Sequence, residues 1–174
     1  MSPNRRVALM GLMTAASVSA GYLLAAIPNV EGLSFLLVVS GFLLGFRDGA
    51  MTGAASGFIY TVLNPYGPAH PAVAVAQVVV CALLGASGAL LRARLVWSGG
   101  RSAAGALLLV LGIVLTGIYD VATNVAYGLV IGQVRATLAM GVPFLLTHVV
   151  SNAVIFVVIG VPLLEMLRRP VEAA

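Results

Sequence analysis

The chain has 174 residues, of which 61% are hydrophobic and only 8% charged, with a formal net charge of +4. Its mean hydropathy of +1.11 excludes a globule clothed in polar surface and points to an integral membrane protein. All nine basic residues are arginines, so no glycine-rich loop ends in a phosphate-binding lysine, no Schiff base can form, and the chain carries no ATP engine of its own.

Crossing ~30 Å of hydrocarbon takes about 20 residues at ~1.5 Å per residue, and six apolar runs approach that length. The first, 7–27, follows Arg5 and Arg6; it is longer than the apolar core of a secretory signal and reads as a retained span with the arginines as its anchor. Small residues repeat along it at four-residue spacing, Gly11 with Ala15 and Ala16 with Ala20, the pattern that lets helices approach closely. PNVEG, Pro28 to Gly32, supplies turn residues and Glu31. Runs 30–46 and 48–64 are short and meet at GFRDGA, Gly45 to Ala50, so they tilt little or lie partly in the interface. Gly41 with Gly45, and Gly49, Gly53 and Gly57, predict packing faces inside a bundle. NPYGPAHP, Asn64 to Pro71, is a second turn-rich loop and carries Asn64, Tyr66 and His70. Run 70–92 contains Gln77, a lone Cys81 with no disulfide partner, and GASG, Gly85 to Gly88. Run 104–130 contains TGIYDVATNVAYG with Asp120 and Asn124, and run 142–167 contains THVVSNAVIF with His148 and Asn152.

Six runs predict an all-α bundle of six transmembrane helices in one domain, 1–174, with both termini in the cytoplasm. Arg5, Arg6, Arg47, Arg92, Arg94, Arg101, Arg168 and Arg169 then lie inside and only Arg135 outside, as the positive-inside rule requires. The basic balance therefore reports topology and contact with anionic lipid, not nucleic acid. The location is a cell membrane crossed several times, a bacterial plasma membrane.

With that orientation the intramembrane polar residues gather in the outer half. Asp120 and Asn124 share a helix face at four-residue spacing, as do His148 and Asn152. Counted from the outer helix ends, Asp120 falls level with Asn152, and Asn124 with His148. Gln77, Asn64 and His70 fall toward the same side, and the loops bearing Glu31 and Tyr66 lid the cluster. A lone intramembrane amide is ordinarily glue between helices. A carboxylate at mid-membrane, costing ~2.5–3.5 kcal/mol on insertion scales, instead marks a wet cavity with a partner, and Asp120 reads as the only acid in the hydrocarbon. The scattered His and Asp have no metal-ligand spacing. Ser87 of GASG with His148 suggests the dyad of a rhomboid-like intramembrane protease, but Ser87 falls far deeper than His148.

The stretches IPNVEGLSFLLVVSGFLLGFRDGAMTGAASGFIYTVLNPYG, AQVVVCALLG, YDVATN and HVVSNAVIF together resemble the substrate-binding S component of an energy-coupling factor transporter, the vitamin-uptake class of ABC importer. The resemblance covers nearly the whole chain. It implies capture of a vitamin or related micronutrient from outside, under the first and third loops, with no cofactor in this chain. It also implies partners: a transmembrane T component and two cytoplasmic ATPases that consume ATP and reorient the chain. The AxxxA face that meets the T component in that family matches Ala16 to Ala20 here. Candidate substrate-binding residues are Asp120, Asn124, His148, Asn152, Gln77, Asn64, Tyr66 and Glu31, with Ala16 and Ala20 at the partner interface. One buried acid, several amides and few charges suit a polar, neutral or weakly cationic ligand rather than a polyanion. A non-transport membrane protein, either the protease or an assembly scaffold, stands as the alternative.

Overall fold

Proline and glycine set most of the helix boundaries. The computed structural model describes residues 1–97 and 101–172; the side chains of 94–97 and 168–172, including Arg94, Arg168 and Arg169, lie outside that description. The helices are α1 (Pro3–Leu23), α2 (Leu33–Leu44), α3 (Phe46–Val62), α4 (Pro71–Trp97), α5 (Arg101–Val130), α6 (Val134–Val158) and α7 (Gly160–Glu172), and no strand occurs among the described residues. Pro3 and Pro71 open α1 and α4, where the missing N–H is one the first helical turn leaves unpaired anyway. Gly45 turns the chain between α2 and α3 at φ +88°, a conformation that only glycine adopts without strain.

Four segments are long and apolar enough to cross a membrane: Pro3–Leu23, Pro71–Ala93, Arg101–Val130, and Val134–Leu167 taken through the break at Ile159. The 12 residues of α2 rise only about 18 Å, and α3 is also short of that length. Almost all of α2 is buried, including Leu33, Phe35, Leu37, Val38, Val39 and Phe42. Its neighbours cover it on nearly every side, so α2 is the axis of the fold.

Helices α2, α3 and α4 meet through glycine. A Cβ added at Gly41 would strike the backbone of Gly85, one at Gly53 the carbonyl of Cys81, and one at Gly88 the backbone of α2 at Val38 and Phe42. The expected packing role holds for Gly41, Gly49, Gly53 and Gly57 but not for Gly45, where nothing lies within 4 Å of an added Cβ because the residue makes the α2–α3 corner. Gly41 and Gly49 meet Gly85 of the GASG stretch, Gly88 meets α2, and Gly53 and Gly57 pack on α4 at Cys81.

The other half of the fold is one long antiparallel pairing. From the turn inward, Gly128 meets Val134 and Thr137, Asn124 meets Gly141, Asp120 meets His148, Thr116 meets Asn152, and Gly112 meets Phe156. Gly105 then meets Val161, and Arg101 pairs with Glu165 at 3.5 Å. This register corrects the expected one by a turn of helix: Asp120 stands level with His148, not Asn152. The cause is the start of α6, at Val134 rather than at 142. Gly132, at φ +71°, makes the turn, and Thr137 ties the new helix back through its hydroxyl to the Asn124 carbonyl at 3.1 Å. The sixth run is also not continuous, since Pro162 lacks the N–H that would bond back across Val158 and Ile159.

These contacts sort the molecule into two ends. The start of α1, the α2–α3 corner, the end of α4, the start of α5 and α7 share one end, where Arg6 pairs with Asp48. The α1–α2 turn, the α3–α4 loop and the α5–α6 turn share the other.

Candidate functional site

A cavity of about 420 Å³ opens at the end opposite the arginine-rich one. Three pieces of chain build it. Ile27, Pro28, Asn29 and Glu31 come from the α1–α2 turn, Tyr60, Asn64, Tyr66 and Gln77 from the α3–α4 region, and Tyr119, Asp120, Asn124, Phe144 and His148 from α5 and α6.

His148 lies at its centre. Nδ1 stands 3.0 Å from Asp120 Oδ1, and Nε2 stands 3.4 Å from Glu31 Oε1. An imidazole ring facing carboxylate oxygen on both sides donates twice when it is the imidazolium. The Tyr119 ring meets the His148 ring edge on, with centroids 6.0 Å apart. Asp120 is therefore not the only acid in the interior: Glu31 descends from the α1–α2 turn to join it. Each carboxylate side chain is 13% exposed.

The turn reaches that depth because its polar groups are met there. Asn152, fully buried, donates from Nδ2 to Glu31 Oε1 at 3.2 Å and to Thr116 Oγ1 at 2.9 Å. The Ser34 amide, a first-turn N–H of α2 with no partner inside the helix, donates to Glu31 Oε2 at 2.8 Å, and an acid is favoured at that helix end. Ser151 donates to the Asn29 carbonyl at 2.9 Å, and Asn29 takes φ +58°, which asparagine tolerates better than most residues. Burial by itself pushes the Glu31 carboxyl up, but the His148 and Ser34 hydrogen bonds outweigh it and hold Glu31 below the usual carboxylate range.

The α3–α4 loop closes over the opening. Asn64 Oδ1 accepts the Tyr66 amide at 2.9 Å, the local turn that asparagine favours. The Tyr66 hydroxyl then donates across to the Ala25 carbonyl at 2.8 Å. Behind it Tyr60 stacks on Tyr22, with centroids 5.3 Å apart, over Gly21, where an added Cβ would come within 2.8 Å of the Tyr60 ring.

Of the eight expected binding residues, seven line the cavity: Asp120, Asn124, His148, Gln77, Asn64, Tyr66 and Glu31. Asn152 does not; it holds Glu31 from behind. Asn124 donates to the Asp120 carbonyl at 2.8 Å and rests against Gly141. His70 lies at the same end, as expected, but is exposed, accepts the Ala72 amide at the start of α4 and does not line the cavity. Thr116, Tyr119, Ser34 and Tyr60 escaped the sequence reading. Thr116, Asp120 and Asn124 recur every fourth residue, and that spacing was the available signal. Ser87 donates to the Leu84 carbonyl at 2.7 Å while both nitrogens of His148 face carboxylates, so no Ser–His dyad is assembled. Ala16 and Ala20 are half-buried, with Ala20 against Gly32 of the neighbouring turn. The exposed small-residue face of α1 is Ala8, Gly11, Ala15 and Ser19.

Compared with protein-family models, curated proteins and solved structures, the chain finds no match. Function must be argued from the cavity.

Proposed function

We propose that this chain is the substrate-capturing subunit of a membrane importer of the energy-coupling factor type, holding a vitamin-like small molecule in the cavity beneath the α1–α2 turn and the α3–α4 loop. The observation that carries the reading is a roofed polar cavity at the end of the bundle opposite Arg6, Arg47, Arg92 and Arg101. Its volume lies within the range of small-molecule sites. In this reading the chain passes from one face to the other along each of α1 to α5, the short α2 and α3 being completed by the chain at their ends and sheathed by the longer helices, and α6 with α7 form the sixth passage, with both termini in the cytoplasm of a bacterial cell. The cavity then faces outside, where a nutrient is met.

The chain has no lysine to serve a P-loop, so import requires separate ATPases and a membrane subunit to couple them. The small residues of α1, from Ala8 to Ala20, offer a face for that subunit. The test is purification of the tagged chain from its own cells in mild detergent. Two ATPase subunits and a second membrane subunit should accompany it, and the chain alone should hydrolyse no ATP. Recovery without partners from cells that take up its ligand normally, or hydrolysis by the isolated chain, would contradict the assignment.

A further inference from the structure

The charge inside the cavity limits what it can hold. Glu31 and Asp120 both line it, and the single cation set against them is His148 when it donates to both. Among the described residues no arginine lines the cavity, and Arg135 is exposed on α6. With both carboxylates ionised and His148 donating to each, the three groups carry one net negative charge, held where water is scarce and charges left unpaired are costly. Two buried oxygens, Asp120 Oδ2 and Gln77 Oε1, accept no hydrogen bond from the described residues, and both residues line the cavity. Hydrogen-bond donors are needed there. The rest of the wall includes the rings of Tyr60, Tyr119 and Phe144, whose faces attract cations as well as flat apolar bodies.

We propose that the ligand is a small organic monocation, its charge borne on N–H groups attached to a flat ring, with the charged end against Asp120 and Gln77 and the ring among the tyrosines. This deepens the capture reading and rests on it. An anion meets two carboxylates and, among the described lining residues, no cation but His148. A neutral ligand can supply N–H donors but leaves the net charge unbalanced.

Three probes of one shape separate these cases: benzamidinium, benzamide and benzoate, titrated by calorimetry into detergent-purified protein that has been dialysed to strip bound molecules. Benzamidinium should bind at least tenfold more tightly than benzamide, with benzoate weakest. Asp120→Asn should erase most of the preference for benzamidinium over benzamide. Gln77→Leu removes an acceptor without changing charge, so it should weaken both and leave their ratio in place. Benzoate binding as well as benzamidinium, or a cation preference untouched in Asp120→Asn, overturns the proposal, and the wild-type ranking decides it if the variants do not fold. The molecule retained by undialysed protein, identified by mass spectrometry, separates the two claims. A retained anion or neutral compound overturns the charge class and leaves capture standing, whereas no retained molecule and no binding of any probe overturns both.

Discussion

Asn152 never touches the cavity, yet it fixes where Glu31 stands, because one amide group holds both the Glu31 carboxylate and the Thr116 hydroxyl. Asn152→Leu keeps the volume but leaves a buried carboxylate short of a donor, a loss on the order of 1–3 kcal/mol. The variant should melt at lower temperature and bind ligand more weakly, whereas a purely peripheral amide would change neither; thermal denaturation with and without ligand reads both. Glu31 adds a pH dependence. Its carboxyl is held below the usual range in the folded protein, so its contribution to stability is full above the ordinary carboxylate value and is lost as pH falls through the lower, folded one. Melting temperature followed downward from pH 6 should fall less steeply in Glu31→Gln than in wild type, and parallel curves would remove Glu31 from the account. At this scale the sequence was legible where polar residues interrupt apolar runs: Asp120, His148 and Gln77 stand out because membranes rarely keep such groups. Thr116, Ser34 and Tyr119 did not stand out, since hydroxyls and rings are ordinary in apolar helices. Their importance comes only from what they face.

Glycine decides the packing of α2, α3 and α4. At Gly85 an added Cβ meets the backbone of Gly49, and backbone cannot step aside as a flexible side chain can. Gly85→Ala should therefore destabilise by about 1–3 kcal/mol, the usual range for overpacking. At Gly11 nothing lies within 4 Å of an added Cβ, and Gly11→Ala should gain up to about 1 kcal/mol from helix propensity. Opposite shifts in melting temperature are expected, and equal shifts would show that these contacts do not govern the fold. The small-residue spacing of α3 was readable, but its partners, Gly85 and Cys81 of α4, were not, because a glycine beside a serine and a lone cysteine in an apolar run carry no spacing signal of their own. The start of α6 was misplaced for a related reason. Arg135 and Gln133 look like loop, while a single glycine conformation at 132 makes the whole turn and lets the helix resume at once.

For the whole molecule, Arg5, Arg6, Arg47, Arg92 and Arg101 lie at the end away from the cavity and Arg135 at the cavity end, and the proposed orientation follows from that polarity. Cys81 is free and buried, 1% exposed, so the native chain provides a low background for thiol labelling. A cysteine introduced for the exposed Gln133, at the α5–α6 turn, should react with a membrane-impermeant maleimide in intact cells. One introduced for Ser102, exposed at the start of α5, should react only after lysis. The reverse pattern would invert the protein, and labelling of both in intact cells would break the six-crossing count. An all-helical membrane architecture was legible from composition. The burial of α2 was not, because an apolar run reads alike whether lipid or protein surrounds it.

The central claim is that the cavity closed by Glu31, His148 and Asp120 captures a small molecule, and native mass spectrometry of protein purified from its own cells tests it most directly. The wild-type chain should carry one bound small molecule, and Asp120→Asn, prepared identically and folded by its melting curve, should carry at least tenfold less, the loss of a charge-assisted contact of about 1.5–3 kcal/mol. Wild-type protein with nothing bound, or equal occupancy in the variant, would contradict the account.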